Sequence, residues 1–233
     1  MKKLFSAHDI VEGIGGAGLM GIHTILWPFL HGYRTRWGTT GEEANADLPG
    51  DELVRNPKLR MTWGITINAP IEDVWPWVVQ MGQGRGGFYT YQFLENIAGC
   101  QIFNADLILP EHQHIPLDAG VSLAPGMSMN VASHDEGHYY FLHSCMDMRT
   151  MEVVEPTEDS FPEKFMNIGW GFYLQETGEN QTRFLSRWLT DYDPALINKI
   201  AINLFLEPIG FVMGRKMLIG TKQRAERQLG HSR

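Results

Sequence analysis

Two carboxylates and a short polar set are the residues of this chain whose types and spacing could do chemistry. Tyr91 and Glu95 stand four positions apart, which on a helix places them on one face. If that face looks into an apolar cavity, Glu95 is desolvated, its pKa rises, and it can serve as a general acid or base with Tyr91 as hydrogen-bonding partner. The competing reading pairs Glu95 with an arginine such as Arg187 and so fixes the helix to a sheet. Glu111 is the second carboxylate, in Glu111-His112-Gln113-His114. On a strand, His112 and His114 would share one side, but a zinc site needs a third ligand from among His134, His138 and His143. That set completes no recognised ligand motif, so no metal and no cofactor is assigned. Neither Cys100 nor Cys145 has a nucleophile context, and no GxSxG elbow is present.

A third group is built for binding. Arg85 lies within Gly82-Gln83-Gly84-Arg85-Gly86-Gly87, where bare amides and a guanidinium could receive a carboxylate or phosphate. The plain alternative is a helix stop followed by a solvated turn. With Gln80 and Tyr89, Arg85 would orient the polar head of a ligand. Tyr91, Trp170 and Arg187 complete the expected ligand-binding set. All but the last two fall between Val74 and Gln113, a stretch dense in aromatics and glycines, as the mouth of a small-molecule pocket would be.

Regular elements must position these groups. Met61, Trp63, Ile65 and Ile67 alternate with polar or small residues, which predicts a half-buried first strand. Pro70 opens a helix with Glu72 and Asp73 in its first turn; Val74, Trp77, Val78 and Met81 form its buried stripe, Pro76 should kink it, and Gly82 should stop it. A second short helix is predicted from Thr90 to Ile97. Strands follow over 121–123, 127–133, 139–144, 149–154, 167–175 and 181–189, with Asp135-Glu136-Gly137 as a hairpin tip. The last element is a helix from Pro194 to Gln228, about 52 Å if straight. Ile197, Ile200, Ala201, Leu204, Pro208, Phe211 and Val212 give it a buried face, with a bend at Pro208. Its far end, with Lys216, Lys222, Arg224 and Arg227, should overhang.

Composition sets the limits. The chain has 233 residues, 43% hydrophobic and 20% charged, which suits one globular domain plus an appendage. A net charge of −8 argues against a nucleic-acid surface. Two cysteines outside any CxxC spacing suit a reducing, cytoplasmic compartment. The appendage is residues 1–38: from Gly13 to Leu30 no Asp, Glu, Lys or Arg occurs. As one helix that run spans about 27 Å, just short of a bilayer's hydrocarbon core. Membrane contact through 13–30 and docking on the protein or a partner are both open. Gly13, Gly15 and Gly18 match GxGxxG without the preceding strand a dinucleotide site requires. Residues 39–59 read as an acidic linker, and the ligand-binding domain should occupy 60–233.

The stretches ITINAPIEDVWPWVVQMGQGRGGFYTYQFLENIAG, IFNADLILPEHQ, IGWGFYLQE and QTRFLSRW resemble a bacterial subfamily of the START-like SRPBCC superfamily, whose relatives include polyketide cyclases. The likeness runs from about Arg36 to Glu226. It implies an α+β helix-grip fold: a curved antiparallel sheet wrapped around a long C-terminal helix, with an apolar cavity between them. The expected function is binding of a hydrophobic or amphipathic molecule, lipid or polyketide-like; the alternatives are a cyclase, dehydratase or hydrolase acting on such a ligand, or a membrane-anchored interaction module. The chain departs from the pattern at Asp118-Ala119-Gly120, where a Gly-Asp pair is usual, and no role is carried onto Asp118.

Overall fold

The computed structural model describes residues 5–117, 119–155, 161–193 and 195–231. Asp118 and Pro194, both part of the sequence reading, lie outside them.

The core is a seven-stranded antiparallel sheet with strand order β1-β7-β6-β4-β3-β2, and β5 pairing with β4. The strands are β1 Leu59–Ile67, β2 Val121–Ala124, β3 Met127–Asp135, β4 Tyr139–Asp147, β5 Glu152–Val154, β6 Phe165–Gly178 and β7 Gln181–Tyr192. All the expected strands therefore form, the one over 149–154 shortened. Met151 takes φ 61° and its N–H closes a turn onto Asp147 O at 2.8 Å, so pairing begins only at Glu152. The sheet is curled, and its concave face holds the terminal helix, as the helix-grip expectation required. Period-two alternation sorts the side chains: Met61, Trp63, Trp170, Phe172, Phe184 and Trp188 face in, while Arg183, Arg187 and Tyr173 face out.

The terminal helix has three parts: α6 Leu196–Ala201, a π-helical segment Ile202–Leu206, and α7 Glu207–His231. The irregularity falls where Pro208 demands it. A proline has no N–H to give and its ring crowds the carbonyl four residues back, here that of Leu204. The widened π turn makes room, and the freed Leu204 oxygen accepts from Thr24 Oγ1 at 3.2 Å. The expected buried stripe is corrected at its start: Phe211 and Val212 are buried, but Ile197 and Ile200 face outward. The far end does not overhang. Lys216 pairs with Glu12 at 2.7 Å, Lys222 with Glu226 at 3.0 Å, and Arg224 and Arg227 with Asp106 at 3.1 and 3.4 Å. By length and composition the Leu196–Gln228 helix could cross a membrane, yet α7 fills the grip of the sheet.

The N-terminal run is two helices, not one. A Ser6 capping box starts α1, Ala7–Ile25; α2 follows as Trp27–Thr35, bent from it by 113° with Pro28 in its first turn. Both dock on the domain. Gly16 lets α1 lie against the Tyr91 ring, where a Cβ would come within 2.9 Å. Arg34, fully buried, donates to His23 O and Trp27 O at 3.0 Å each, closing the bend, and to Glu207 Oε1 at 2.7 Å. Trp63 Nε1 donates to Arg34 O at 2.7 Å, tying the same segment to β1.

Residues 39–59 pack across the outer face of the sheet. Thr40 caps α3, Gly41–Asn45. Val54 joins Phe141, Tyr173, Leu185 and Leu189 in a second apolar cluster there. Arg183 holds Glu43 at 2.7 Å, and Arg187 is ion-paired with Asp51 while donating to Ala46 O at 2.6 Å and Glu43 O at 3.1 Å.

Candidate functional site

Between the concave face and the terminal helix lies a cavity of about 250 Å³. Its walls follow from strand alternation. Trp63 of β1, Trp170 of β6 and its cross-strand partner Trp188 of β7 point inward together, with Met61 and Leu123. Each indole N–H is already used: Trp63 on Arg34 O at 2.7 Å, Trp170 on Ser186 Oγ at 3.0 Å, Trp188 on Thr190 Oγ1 at 2.8 Å. The rings therefore offer the cavity carbon alone. The helix contributes Leu206, Ile209, Gly210, Met213, Gly214 and Met217. Gly214 brings the helix backbone onto Trp63, since a Cβ there would sit 2.1 Å from the ring; at Gly210 the nearest atom is Met61 Cε, at 3.5 Å.

The third wall carries the polarity. Helix α4, Ile71–Val79, with Pro76 inside it, leads through the glycine-rich turn to α5, Gln92–Ile97, and Thr90, Glu95 and Cys100 face the cavity. Glu95 is 7% exposed. Its Oε1 accepts from Thr90 Oγ1, and its Oε2 is buried with no hydrogen-bond partner. Burial disfavours the charged form and raises its pKa to about 7, with the Thr90 hydrogen bond opposing. Burial and the nearby Glu95 also push the Cys100 thiol up. Glu95 is the one Asp, Glu, Lys, Arg or His among the described lining residues.

The other expected site residues are placed elsewhere. Helix α4 ends with carbonyls that no helical N–H can reach. Tyr89 Oη donates to Trp77 O at 2.9 Å, Tyr140 Oη to Val78 O at 3.1 Å and Arg85 to Val79 O at 3.1 Å. Arg85 also takes His112 O and His114 O, at 2.9 and 3.1 Å, so the HxH stretch meets it through carbonyls and not imidazoles. Gln80 donates to Tyr89 Oη at 2.9 Å and accepts from Leu109 N at 2.9 Å. Gln80, Arg85 and Tyr89 thus close a helix end. Tyr91 stacks on α1 under Lys216, 5.7 Å from its ring, so the hydroxyl partner of Glu95 is Thr90 instead. Arg187 lies on the opposite face of the sheet from Glu95 and pairs with Asp51. Glu111 sits exposed in a 3-10 turn, Pro110–His112, outside the cavity. Of the expected ligand-binding set, Trp170 lines the cavity. Trp63, Gly210 and Gly214 were not singled out; the i, i+4 glycine pair in an apolar helix was the available sign of close approach.

A larger cleft, about 910 Å³, lies on the outer face, lined in part by Glu52, Asn130, His143, Asn167 and Asp191. Its polar groups serve one another: His143 meets Asn167 at 2.7 Å, Asn167 donates to Leu53 O at 3.1 Å, and Lys58 is ion-paired with Asp191. The smaller, apolar cavity with an unsatisfied carboxyl oxygen is the stronger site.

Fold and site together define an α+β helix-grip protein with an apolar, partly open cavity between sheet and terminal helix. No protein-family model and no curated protein matches the chain. Among solved structures, it is similar to a conserved protein of Geobacillus kaustophilus, at 12% identity and a TM-score of 0.38 over 72% of this chain and 96% of that one. It is also similar to TTHA0849 of Thermus thermophilus (11%, 0.29, 71% and 96%) and to CalU16 of Micromonospora echinospora (11%, 0.27, 72% and 84%). Likeness this slight says nothing about activity.

Proposed function

We propose that the protein binds a hydrophobic or amphipathic small molecule, lipid or polyketide-like, between its sheet and terminal helix. The carrying observation is the cavity itself: three indoles with saturated N–H groups, methionines and bare helix backbone around about 250 Å³. The resemblance to START-like SRPBCC proteins supports the same reading. Burial of such a ligand is driven by removing apolar surface from water, about 25 cal/mol per Å². Gly210→Leu tests it, because the new side chain starts from an unobstructed position and fills the cavity. Wild-type protein purified from cells, extracted and analysed by mass spectrometry should yield an apolar compound that the variant lacks. Equal absence from both, with no uptake of an apolar fluorophore by wild type, contradicts the proposal.

A second reading, an enzyme of cyclase, dehydratase or hydrolase type, rests on Glu95. A carboxyl that titrates near neutrality beside a cavity suits general acid–base work. Turnover of the extracted ligand class that survives Glu95→Gln unchanged removes it.

A third concerns localisation: a cytoplasmic protein held at a lipid surface. Ile25 (80% exposed) and Phe29 (86%) at the α1–α2 corner and Ile200 and Phe205 of the terminal helix are exposed on two segments that the Thr24–Leu204 hydrogen bond joins. An 18-residue stretch of that helix has a mean hydropathy of 1.5 but is only 28% buried. In a chain of net charge −8, no acidic residue falls between Gly13 and Thr40 or between Ala195 and Leu206, while Arg36 and Lys199 are exposed. That pattern fits an anionic bilayer surface. Flotation with phosphatidylglycerol vesicles should be lost in Phe29→Glu; a soluble dimer that the same substitution dissociates would assign the face to a second copy instead.

A further inference from the structure

Within the cavity-binding reading, on which this rests, we infer that the site selects uncharged amphiphiles and that Glu95 donates a hydrogen bond through Oε2 to a carbonyl or hydroxyl oxygen of the guest. The argument begins with the proton. Thr90 Oγ1 meets Oε1, which leaves Oε2 as the oxygen with no protein partner and therefore the one from which a proton could be shared with a guest. That oxygen is buried, unpartnered and not itself open to the cavity that Glu95 lines, so a guest engages it by a turn of the carboxyl. An unsatisfied buried donor carries the full desolvation cost of the group, which a guest oxygen placed against it removes. The indole N–H groups cannot take that role, since all three are engaged.

The surroundings decide the charge of the guest. No Lys, Arg or His is among the described lining residues, so a carboxylate or phosphate would be desolvated without a counter-ion and set beside a carboxyl. The charged groups on neighbouring elements make contacts away from Glu95, although Arg215 Nε itself is buried without a hydrogen-bond partner. On α1, Glu12 pairs with Lys216 of α7 at 2.7 Å. Arg215 of α7 lies over the Trp37 ring at 5.1 Å, and Lys216 over Tyr91. The remaining titratable neighbour is the Cys100 thiol, kept protonated by burial. None of these is among the causes that set the Glu95 protonation, which are burial and Thr90. A cationic amine would require the ionised carboxylate, the form that burial disfavours. At about 250 Å³ the cavity also lies just under the usual ligand-pocket range of about 300–1,000 Å³, which suits one medium-length chain or a small ring system and not a two-chain lipid.

Calorimetric titration at pH 5.5 and 8.5 with nonan-2-one, propylbenzene, nonanoate and nonylamine tests this in the full-length protein. Glu95 loses its proton as pH rises through about 7, so nonan-2-one should bind about tenfold more weakly at pH 8.5 while propylbenzene is unaffected. Nonanoate should not bind at pH 8.5. Glu95→Gln keeps an N–H donor and should bind the ketone equally at both pH values. Glu95→Leu should lose about tenfold for the ketone alone. Ketone binding indifferent to pH and to Glu95→Leu overturns the role of Glu95 and leaves the cavity reading standing. Nonylamine as the tightest probe, strengthening at pH 8.5, overturns the choice of an uncharged guest. If neither ketone nor propylbenzene binds wild type or any variant, the cavity reading fails, and this inference with it. Matching circular dichroism and Tm in each variant at pH 5.5 shows that a loss is local.

Discussion

The two faces of the sheet treat charge in opposite ways, and β7 shows both. Its outward residues Arg183 and Arg187 are ion-paired with Glu43 and Asp51 of the segment packed over them, and Arg187 is saturated further by backbone carbonyls. Its inward residues Phe184, Ser186 and Trp188 lie among aromatics, where the described cavity lining has a single carboxyl, Glu95, with one oxygen unpaired. A buried cation such as Arg187, with every donor partnered, holds a fold together. Unpartnered buried atoms occur on the outer face too, Asp51 Oδ1 among them, but Glu95 Oε2 is the one that belongs to a described cavity-lining residue.

The largest expected effect breaks the outer face. Arg187→Ala takes the close cation from Asp51, leaving it the Leu48 N–H and the more distant Arg60, and strips a donor from three carbonyls; it should cost about 3–5 kcal/mol in urea unfolding while leaving the cavity walls intact. Glu95→Gln probes the inner face through pH. Because the folded pKa, about 7, exceeds the ordinary carboxylate value, Glu95 supports the fold fully below about pH 4.5 and loses that contribution as pH rises through 7. The variant should therefore match wild type near pH 4 and gain on it by about 3 kcal/mol at pH 8, at about 1.4 kcal/mol per pH unit. Equal pH dependence of the two proteins would contradict the burial of that carboxyl. Tyr89→Phe should cost about 1–3 kcal/mol, since it leaves Trp77 O without its hydroxyl donor and removes one of the two acceptors of Gln80 Nε2, with ligand affinity unchanged. Gly210→Leu should be the mildest, raising stability by up to about 1 kcal/mol as a helix-interior glycine is replaced, while abolishing ligand uptake.

The sequence carried the architecture well because its signals are local. Alternation at 61–67, the Asp135-Glu136-Gly137 tip and Pro70 each act within a few residues, and the elements form where they point. What it hid is long-range or belongs to the backbone. Nothing near Arg34 announces Glu207, yet that buried pair holds α2 against α7. Gln80, Arg85 and Tyr89 looked like a ligand cradle because backbone carbonyls, those of Trp77 and Val79 at the end of α4 for Tyr89 and Arg85 and that of Leu107 for Gln80, have no letter in a sequence. Glu95 was visible as a candidate, but its partner was not: the start of α5 at Gln92 turns Tyr91 toward α1 and leaves Thr90 to face the carboxyl. Likewise, the apolar run through Gly13–Leu30 reads as one helix until Pro28 starts a new one.

The central claim is that Glu95 is a buried carboxyl with one oxygen unpaired, lining a cavity that takes a neutral guest. A carbon-13 NMR titration of the Glu95 carboxyl, without and with nonan-2-one, tests it most directly. The account predicts a midpoint near 7 in the free protein, moved upward when the ketone accepts its proton's hydrogen bond. A midpoint near 4.5 that the ketone does not move would contradict it.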